Sequence, residues 1–420
     1  MNINNLRKSK VIKNGAWLFV LQFANTVLPL LTIPYVTRIL GSAGYGQFSI
    51  AYNWITYCQV FVEYGYTMNG ARKIAISKSQ DDDDRLWRGI VCSRAVLFII
   101  SFIALNIVCI LNSNPDKYKN AMIMMTIVFS VIFQMNWLFQ GKQQMQFITI
   151  INVTARLLSV GLIFLMVKTP NQVSLYCFLY SFTFLFSSFC GLIVAIRRYN
   201  IHPKLASREE IIDELKDGWP LFTSSAISRI FGSIGITILG IYASNSVVGA
   251  YSAIYKIPYM LNLCFAPVGQ ALFPHLSQKY SVNVEETVRL NRKIMLIVAG
   301  GFSCICAVIM ASRNWIVPLL FGTEYVDYSD LILILAPQLV FGIINNFLGV
   351  QTLVAIGLKE RYSRCVIVNI IVLLILNLFL CPRLNAFGTA LSALIAEIVL
   401  FFLLLWNCYK YVWKTHRERL

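Results

Sequence analysis

The chain has 420 residues, of which 57% are hydrophobic and 13% charged, about half the ~25% charged fraction of an ordinary soluble domain. A membrane-spanning helix needs ~20 mostly apolar residues, so a dozen spans and their connections consume the chain and leave no sizeable soluble domain. This excludes soluble enzymes, secreted disulfide scaffolds and nucleic-acid binders, and the net charge of +17 is first a report of topology.

Taken in chain order, the amino terminus carries Arg7, Lys8, Lys10 and Lys13 before an apolar run. That run is too long for a signal peptide and no small-residue cleavage site follows it, so it reads as an uncleaved first span. Cutting wherever polar clusters interrupt hydrophobicity predicts spans at 14–38, 45–70, 86–111, 119–140, 147–167, 174–196, 217–243, 249–276, 291–312, 329–354, 362–381 and 387–409. The expected fold class is an all-α polytopic membrane protein of twelve transmembrane helices. With the amino terminus inside, 26 basic residues fall in inner segments and six in outer loops, namely Arg38, Lys117, Lys119, Lys168, Arg313 and Arg383. Adding or removing one helix would invert the later basic loops, so the positive-inside rule predicts twelve spans with both termini cytoplasmic. Trp17, Trp87, Trp137, Trp219, Trp315, Trp406 and Trp413 fall near span ends, the headgroup level that indole favours, whereas Trp54 lies well inside a span.

The longest inner connection, 197–216, lies near the midpoint with six spans on either side. The expected organisation is therefore an N-terminal lobe (1–196), a cytoplasmic linker (197–216) and a C-terminal lobe (217–420). Gly46-Gln47-Phe48-Ser49-Ile50-Ala51-Tyr52 and Gly249-Ala250-Tyr251-Ser252-Ala253-Ile254-Tyr255 both read G-x-aromatic-S-x-x-Y, 203 residues apart and at equivalent places in the two halves. That pattern suggests duplication in the same orientation, a known transporter plan.

Charges within spans carry the chemistry, because each costs roughly 2.5–3.5 kcal/mol at a helix centre on insertion scales and normally faces an interior cavity. Arg94, Arg156, Arg229 and Lys256 lie within spans, Arg38 closes the first, and Glu63 and Glu397 are the acids. Two accounts stay open for them: snorkelling or internal ion pairing, or the lining of one water-filled cavity. Such a cavity would favour an anion, and guanidinium forks suit phosphate oxygens, which makes a phosphate-bearing passenger the functional expectation. Glu63 and Glu397 then serve as coupling groups or as fixed partners of a neighbouring arginine. Pro29, Pro34, Pro258 and Pro267 are hinge candidates, since breaks in spans are tolerated where neighbours or cavity water satisfy the freed carbonyls. The run Asp81-Asp82-Asp83-Asp84 reads as a solvated acidic cluster. Eleven cysteines without a CxxC pair read as small buried apolar residues. His202, His275 and His416 are far apart, and without a Walker A loop, a Ser-His-Asp set or HExxH the expectation is no catalytic residue, no metal and no cofactor.

Ile33-Pro34-Tyr35-Val36-Thr37-Arg38-Ile39-Leu40-Gly41-Ser42-Ala43-Gly44-Tyr45-Gly46 resembles the P-Y-x-x-R-x-L-G-x-x-G-Y-G signature of bacterial polysaccharide transporters. Glu63-Tyr64-Gly65, Ala71-Arg72-Lys73-Ile74-Ala75, Tyr255-Lys256-Ile257 and Leu272-Phe273-Pro274 extend the likeness over essentially the whole chain. The resemblance is to the O-antigen flippase (Wzx) branch of the multidrug/oligosaccharidyl-lipid/polysaccharide exporter superfamily. It implies two six-helix lobes around a central cavity that opens alternately inward and outward. It also implies transport of undecaprenyl-diphosphate-linked oligosaccharide from the cytoplasmic to the periplasmic leaflet of the bacterial inner membrane. Cationic cavity residues would hold the diphosphate, with Arg38 and then Lys256 carried over by motif. H+ or Na+ would be the coupling ion, an O-antigen polymerase and a chain-length regulator the partners, and the monomer the working unit.

The competing readings are an exporter of another lipid-linked glycan, a multidrug antiporter of the same superfamily and an O-antigen polymerase. A cation antiporter wants acids at the centres of spans 1 and 7, yet span 1 has none and span 7 carries Arg229. A polymerase wants a large outer loop, and the longest predicted is about 16 residues, 313–328. The lipid II flippase branch typically adds two carboxy-terminal spans.

Overall fold

The computed structural model describes residues 3–111, 115–202 and 204–414. The side chains of Arg7, Lys8, Lys10, Lys117 and Trp413, and all of His416, lie outside the described residues. Among those described there is no strand, and thirteen α-helices carry the chain: α1 (Ile3–Glu63), α2 (Tyr66–Ile76), α3 (Gln80–Leu111), α4 (Pro115–Ile132), α5 (Asn136–Gly141), α6 (Met145–Met166), α7 (Val173–Tyr199), α8 (Arg208–Tyr242), α9 (Asn245–Tyr280), α10 (Val284–Ala311), α11 (Arg313–Phe321), α12 (Ile332–Leu348) and α13 (Lys359–Cys408). The all-α membrane architecture expected from composition is what the chain adopts.

Among the described residues, eight helical stretches are long and apolar enough to cross a bilayer, fewer than the twelve predicted spans. Two of the eight, Lys13–Ile76 and Lys359–Val412, have 64 and 54 residues, or roughly 96 and 81 Å at the α-helical rise, enough for two crossings each. Each holds two helices that meet at a kink, where the backbone leaves the helical region at Gly41 (φ 67°) in α1 and at Asn385 (φ 49°) in α13. Among its described residues α8 contributes a shorter apolar stretch, Gly232–Tyr242. Span 2 ends earlier than expected, at the left-handed pair Tyr64 and Gly65. The span expected at 119–140 breaks after Ile132 and resumes as α5.

Local chemistry explains the helix starts. Ser207 and Glu210 form a reciprocal capping box at the start of α8, each backbone N–H donating to the other's side chain. Asn283 Oδ1 accepts from the Glu286 N–H to cap α10. The aspartate run has a structural origin that its composition hid. Asp81, Asp82 and Asp83 occupy the first turn of α3, where the helix dipole favours negative charge. Asp83 is buried and paired with Lys142, and Asp84 with His202 at 2.8 Å, so half of the expected solvated cluster is engaged in packing.

Two compact units emerge, one of residues 1–40 and 47–233 and the other of 41–46 and 234–420. The boundary lies inside α8 rather than in the segment 197–216, which belongs to the first unit. That segment and the start of α8 are tied down by charge: Arg88 grips Glu210 with Nη2–Oε1 at 2.7 Å, and Lys73 meets Glu214 at 2.8 Å and Asp217 at 2.9 Å. Within the second unit the two glycines of the repeated phrase pack against backbone. A Cβ on Gly46 would lie 1.8 Å from the Asn245 carbonyl oxygen, and one on Gly249 would lie 1.9 Å from that of Ser42.

Large apolar side chains such as Phe19, Leu165, Ile297 and Phe402 are more than half exposed, as expected where hydrocarbon replaces water. Trp219, Trp315 and Trp406 are exposed, whereas Trp87 and Trp137 are buried in packing; proximity to a predicted span end did not make those two interface anchors. Of the cysteines, Cys177, Cys306, Cys365, Cys381 and Cys408 are buried as expected, but Cys264 and Cys304 are exposed.

Candidate functional site

In the first unit, Arg94 is fully enclosed on α3. Its Nη1 donates to the Gln134 carbonyl at 2.9 Å, at the break between α4 and α5, and its guanidinium carbon stands 5.7 Å from the Tyr66 ring centroid. It satisfies a carbonyl that the break leaves without a helical partner. Arg156 on α6 is half-buried and donates from Nη1 to Asn25 Oδ1 on α1 at 2.7 Å. That partner is neutral, and no carboxylate lies within salt-bridge range of Arg156 among the described residues. Arg229 on α8 is exposed and stands 3.7 Å from Glu63 Oε2, while Glu63 Oε1 accepts from Thr67 at 3.0 Å. The structure thus joins Arg229 to one of the two sequence-predicted acids. Arg38 is exposed, three residues before the Gly41 turn.

In the second unit, Lys256 on α9 is half-buried with Nζ 5.4 Å from the Tyr259 ring centroid. Among the described residues it makes no ion pair. Glu397 on α13 accepts at Oε2 from Asn345 Nδ2 at 2.7 Å, and the same amide reaches the Glu397 carbonyl at 2.9 Å. Glu397 is therefore bound to an amide rather than to an arginine. The proline candidates behave alike in both units, since α1 stays helical through Pro29 and Pro34, and α9 through Pro258 and Pro267.

Glu397 also lines a cavity of about 650 Å³ inside the second unit. One wall is a face of α9 that recurs every three or four residues, including Tyr255, Tyr259, Asn262 and Gln270. The opposite wall is a face of α12 with Gln338, Gly342 and Asn346, continued by Gln351. Gln351 sits in a π-helical stretch, Gly349–Val354, and bulges of this kind recur at functional sites. Its Nε2 donates to the Gly269 carbonyl at 2.8 Å, which leaves Oε1 buried without a partner, as is Oε1 of Gln338. Sequence reasoning missed these amides because it weighted charges alone; the signal was amides at helical spacing, 262 with 270 and 338 with 345 and 346, in otherwise apolar runs.

Comparison with known proteins places the geometry in context. The profile of a family described as polysaccharide biosynthesis protein matches residues 11–280. A protein of Escherichia coli (strain K12) named "Putative O-antigen transporter" is 26% identical over 408 residues, covering 96% of this chain and 97% of its own. A protein of Haloferax volcanii named "Probable low-salt glycan biosynthesis flippase Agl15" is 22% identical over 401 residues, with 91% and 80% covered. Among solved structures, "Lipid II flippase MurJ, inward closed conformation" superposes with a TM-score of 0.75 at 16% identity, covering 95% of this chain and 88% of that one, a likeness of fold. These relatives are transporters rather than catalysts. The signature around Arg38, the multi-pass helical fold and the family match agree: this chain belongs to the polysaccharide biosynthesis protein family and is a multi-pass membrane transporter.

Proposed function

We propose that the protein is a flippase that moves undecaprenyl-diphosphate-linked O-antigen repeat units from the cytoplasmic to the periplasmic leaflet by alternating access, with both termini cytoplasmic. The observation that carries this reading is positive charge in membrane helices that is weakly paired, or without an ion pair, among the described residues. Arg156 is held by an amide, Arg229 is only loosely met by Glu63 at 3.7 Å, and Lys256 rests against an aromatic ring. Cations kept in an apolar protein without a close acid are costly unless an anionic passenger meets them, and a diphosphate offers the oxygens that guanidinium groups bind best. Arg38 is proposed to join them at the diphosphate on the strength of the signature motif alone. Arg94 is assigned to packing, because its guanidinium is enclosed and bonded at a helix break. Glu63 is proposed as a charge partner of Arg229 that a bound diphosphate would displace, and H+ or Na+ as the coupling ion.

The test is deletion of the gene followed by a search for lipid-linked repeat units trapped on the cytoplasmic face. Trapped single units that reach the outer face when the wild-type protein is restored support flipping; units that reach the periplasm but stay unjoined point to a polymerase. In the restored strain, Arg156→Ala and Arg229→Ala are expected to lower flipping at least tenfold with normal membrane abundance. Full activity in both variants overturns the assignment of the cations.

A further inference from the structure

The cavity between α9 and α12 differs in chemistry from the cations assigned to the diphosphate. None of its described lining residues is basic, Glu397 is its sole charge, and five neutral amides, Asn262, Gln270, Gln338, Asn346 and Gln351, are spread over both walls with Tyr255 and Tyr259. A phosphate would meet the Glu397 carboxylate in the wall and no basic lining residue, the nearby Lys256 being turned to the Tyr259 ring and not part of the lining. A metal ion would lack ligands, since no group of three or more His, Cys, Asp or Glu is present among the described residues. Sugar hydroxyls fit: each donates and accepts, as a carboxamide does, and the apolar face of a pyranose ring suits a tyrosine ring. The volume, about 650 Å³, lies in the ~300–1,000 Å³ range of small-molecule sites.

We propose that this cavity is a subsite for the uncharged sugars of the transported oligosaccharide and sets specificity for the glycan, an inference that rests on the flippase reading above. Entering hydroxyls pair with the amides, and the buried, unpartnered oxygens of Gln338 and Gln351 gain donors by small side-chain rotations. With Oε2 of Glu397 held by Asn345, Oε1 accepts a further hydroxyl, and the carboxylate charge rejects acidic sugars. The π-helical stretch gives Gln351 its place at the end of the α12 wall, where a regular helix would carry the residue to a different angle.

The experiment uses the full-length protein in proteoliposomes and two probe lipids: polyprenyl diphosphate bearing an uncharged tetrasaccharide repeat, and the same lipid bearing only its first sugar. Flipping is read by access of each probe to an added glycosidase. Gln351→Leu removes one amide. Gly342→Phe fills the cavity from a position where an added Cβ meets nothing within 4 Å, and so covers the case in which Gln351→Leu does not fold. Both variants are expected to slow the tetrasaccharide lipid tenfold or more and the single-sugar lipid less than twofold. Equal loss on the two lipids, or no loss on either, at wild-type abundance overturns the subsite. Wild-type protein that moves neither lipid overturns the flippase reading instead. In that event calorimetric titration of the free tetrasaccharide into detergent-solubilised protein decides the cavity separately: binding weakened at least tenfold by Gly342→Phe supports it, and unchanged or absent binding overturns it.

Discussion

Single residues show how differently the same kind of sequence signal resolves. Arg94, Arg156 and Arg229 look alike in sequence, as basic residues inside apolar runs, yet one is enclosed at a helix break, one is bonded to an amide and one is exposed beside an acid. Burial depends on which helix face turns to a neighbour, and a lone charge does not reveal that. The glycines were more legible. Gly46 and Gly249 were singled out as equivalents of a repeat, and in the second unit each leaves room for backbone of the other's segment. Gly249→Ala places a methyl 1.9 Å from the Ser42 carbonyl oxygen, and overpacking against backbone is expected to cost about 3 kcal/mol. Gly300→Ala, where a Cβ meets nothing within 4 Å, is expected to be neutral or stabilising by about 1 kcal/mol from helix propensity alone. Thermal unfolding in detergent separates the two; equal melting temperatures would refute the close-approach account.

Elements follow from patterns of residues, and their attachments from charge. The start of α8 was readable as Ser207-x-x-Glu210, but the second task of Glu210 was not. Arg88 Nε and Nη2 both donate to its carboxylate, binding the first turn of α8 to α3 across 122 residues of sequence. A double-mutant cycle of Arg88→Ala and Glu210→Ala is expected to give a coupling of about 1 kcal/mol, as for a well-formed, partly exposed pair. The Arg88 hydrogen bonds hold the Glu210 carboxyl below its ordinary value of 4.5. Its stabilising contribution is therefore complete above that value and is lost as the pH falls through the depressed one. The difference in melting temperature between wild type and Glu210→Gln is expected to be constant from pH 7 to about 5 and to narrow as the pH falls through the depressed value. A difference that does not narrow at all on acidification would remove the ion pair as its cause. The two cavity-lining faces belong to this scale too: the amide spacing in α9 and α12 is visible in the sequence, whereas the facing of one helix by the other is not.

For the whole molecule, the proposed cargo makes an energetic prediction. Moving one negative charge outward across a negative-inside potential of ~100 mV is favourable by ~2.3 kcal/mol, so two uncompensated diphosphate charges gain roughly 4–5 kcal/mol. In proteoliposomes under a valinomycin-set potential of ~100 mV, the outward accumulation of the lipid-linked glycan is expected to exceed that at zero potential at least tenfold. Accumulation that ignores the potential but follows an imposed H+ or Na+ gradient would show that the charge is compensated and that the coupling ion drives export.

What the sequence by itself determined was everything that hydrophobicity and short motifs encode locally. An all-α membrane chain, the approximate positions of its helical stretches, the polysaccharide-transporter signature around Arg38 and the repeated phrases at Gly46 and Gly249 all follow from residues near one another in the chain. Tertiary structure decided the rest. It placed tight kinks between neighbouring spans at Gly41 and Asn385, drew the segment 197–216 into the first unit, gave Arg94 a packing contact and Glu397 an amide partner, and set amides from α9 and α12 around one cavity. The physical reason is range: transfer into lipid is summed residue by residue along the chain, whereas a hydrogen bond or a cavity wall requires two faces far apart in sequence to turn toward each other.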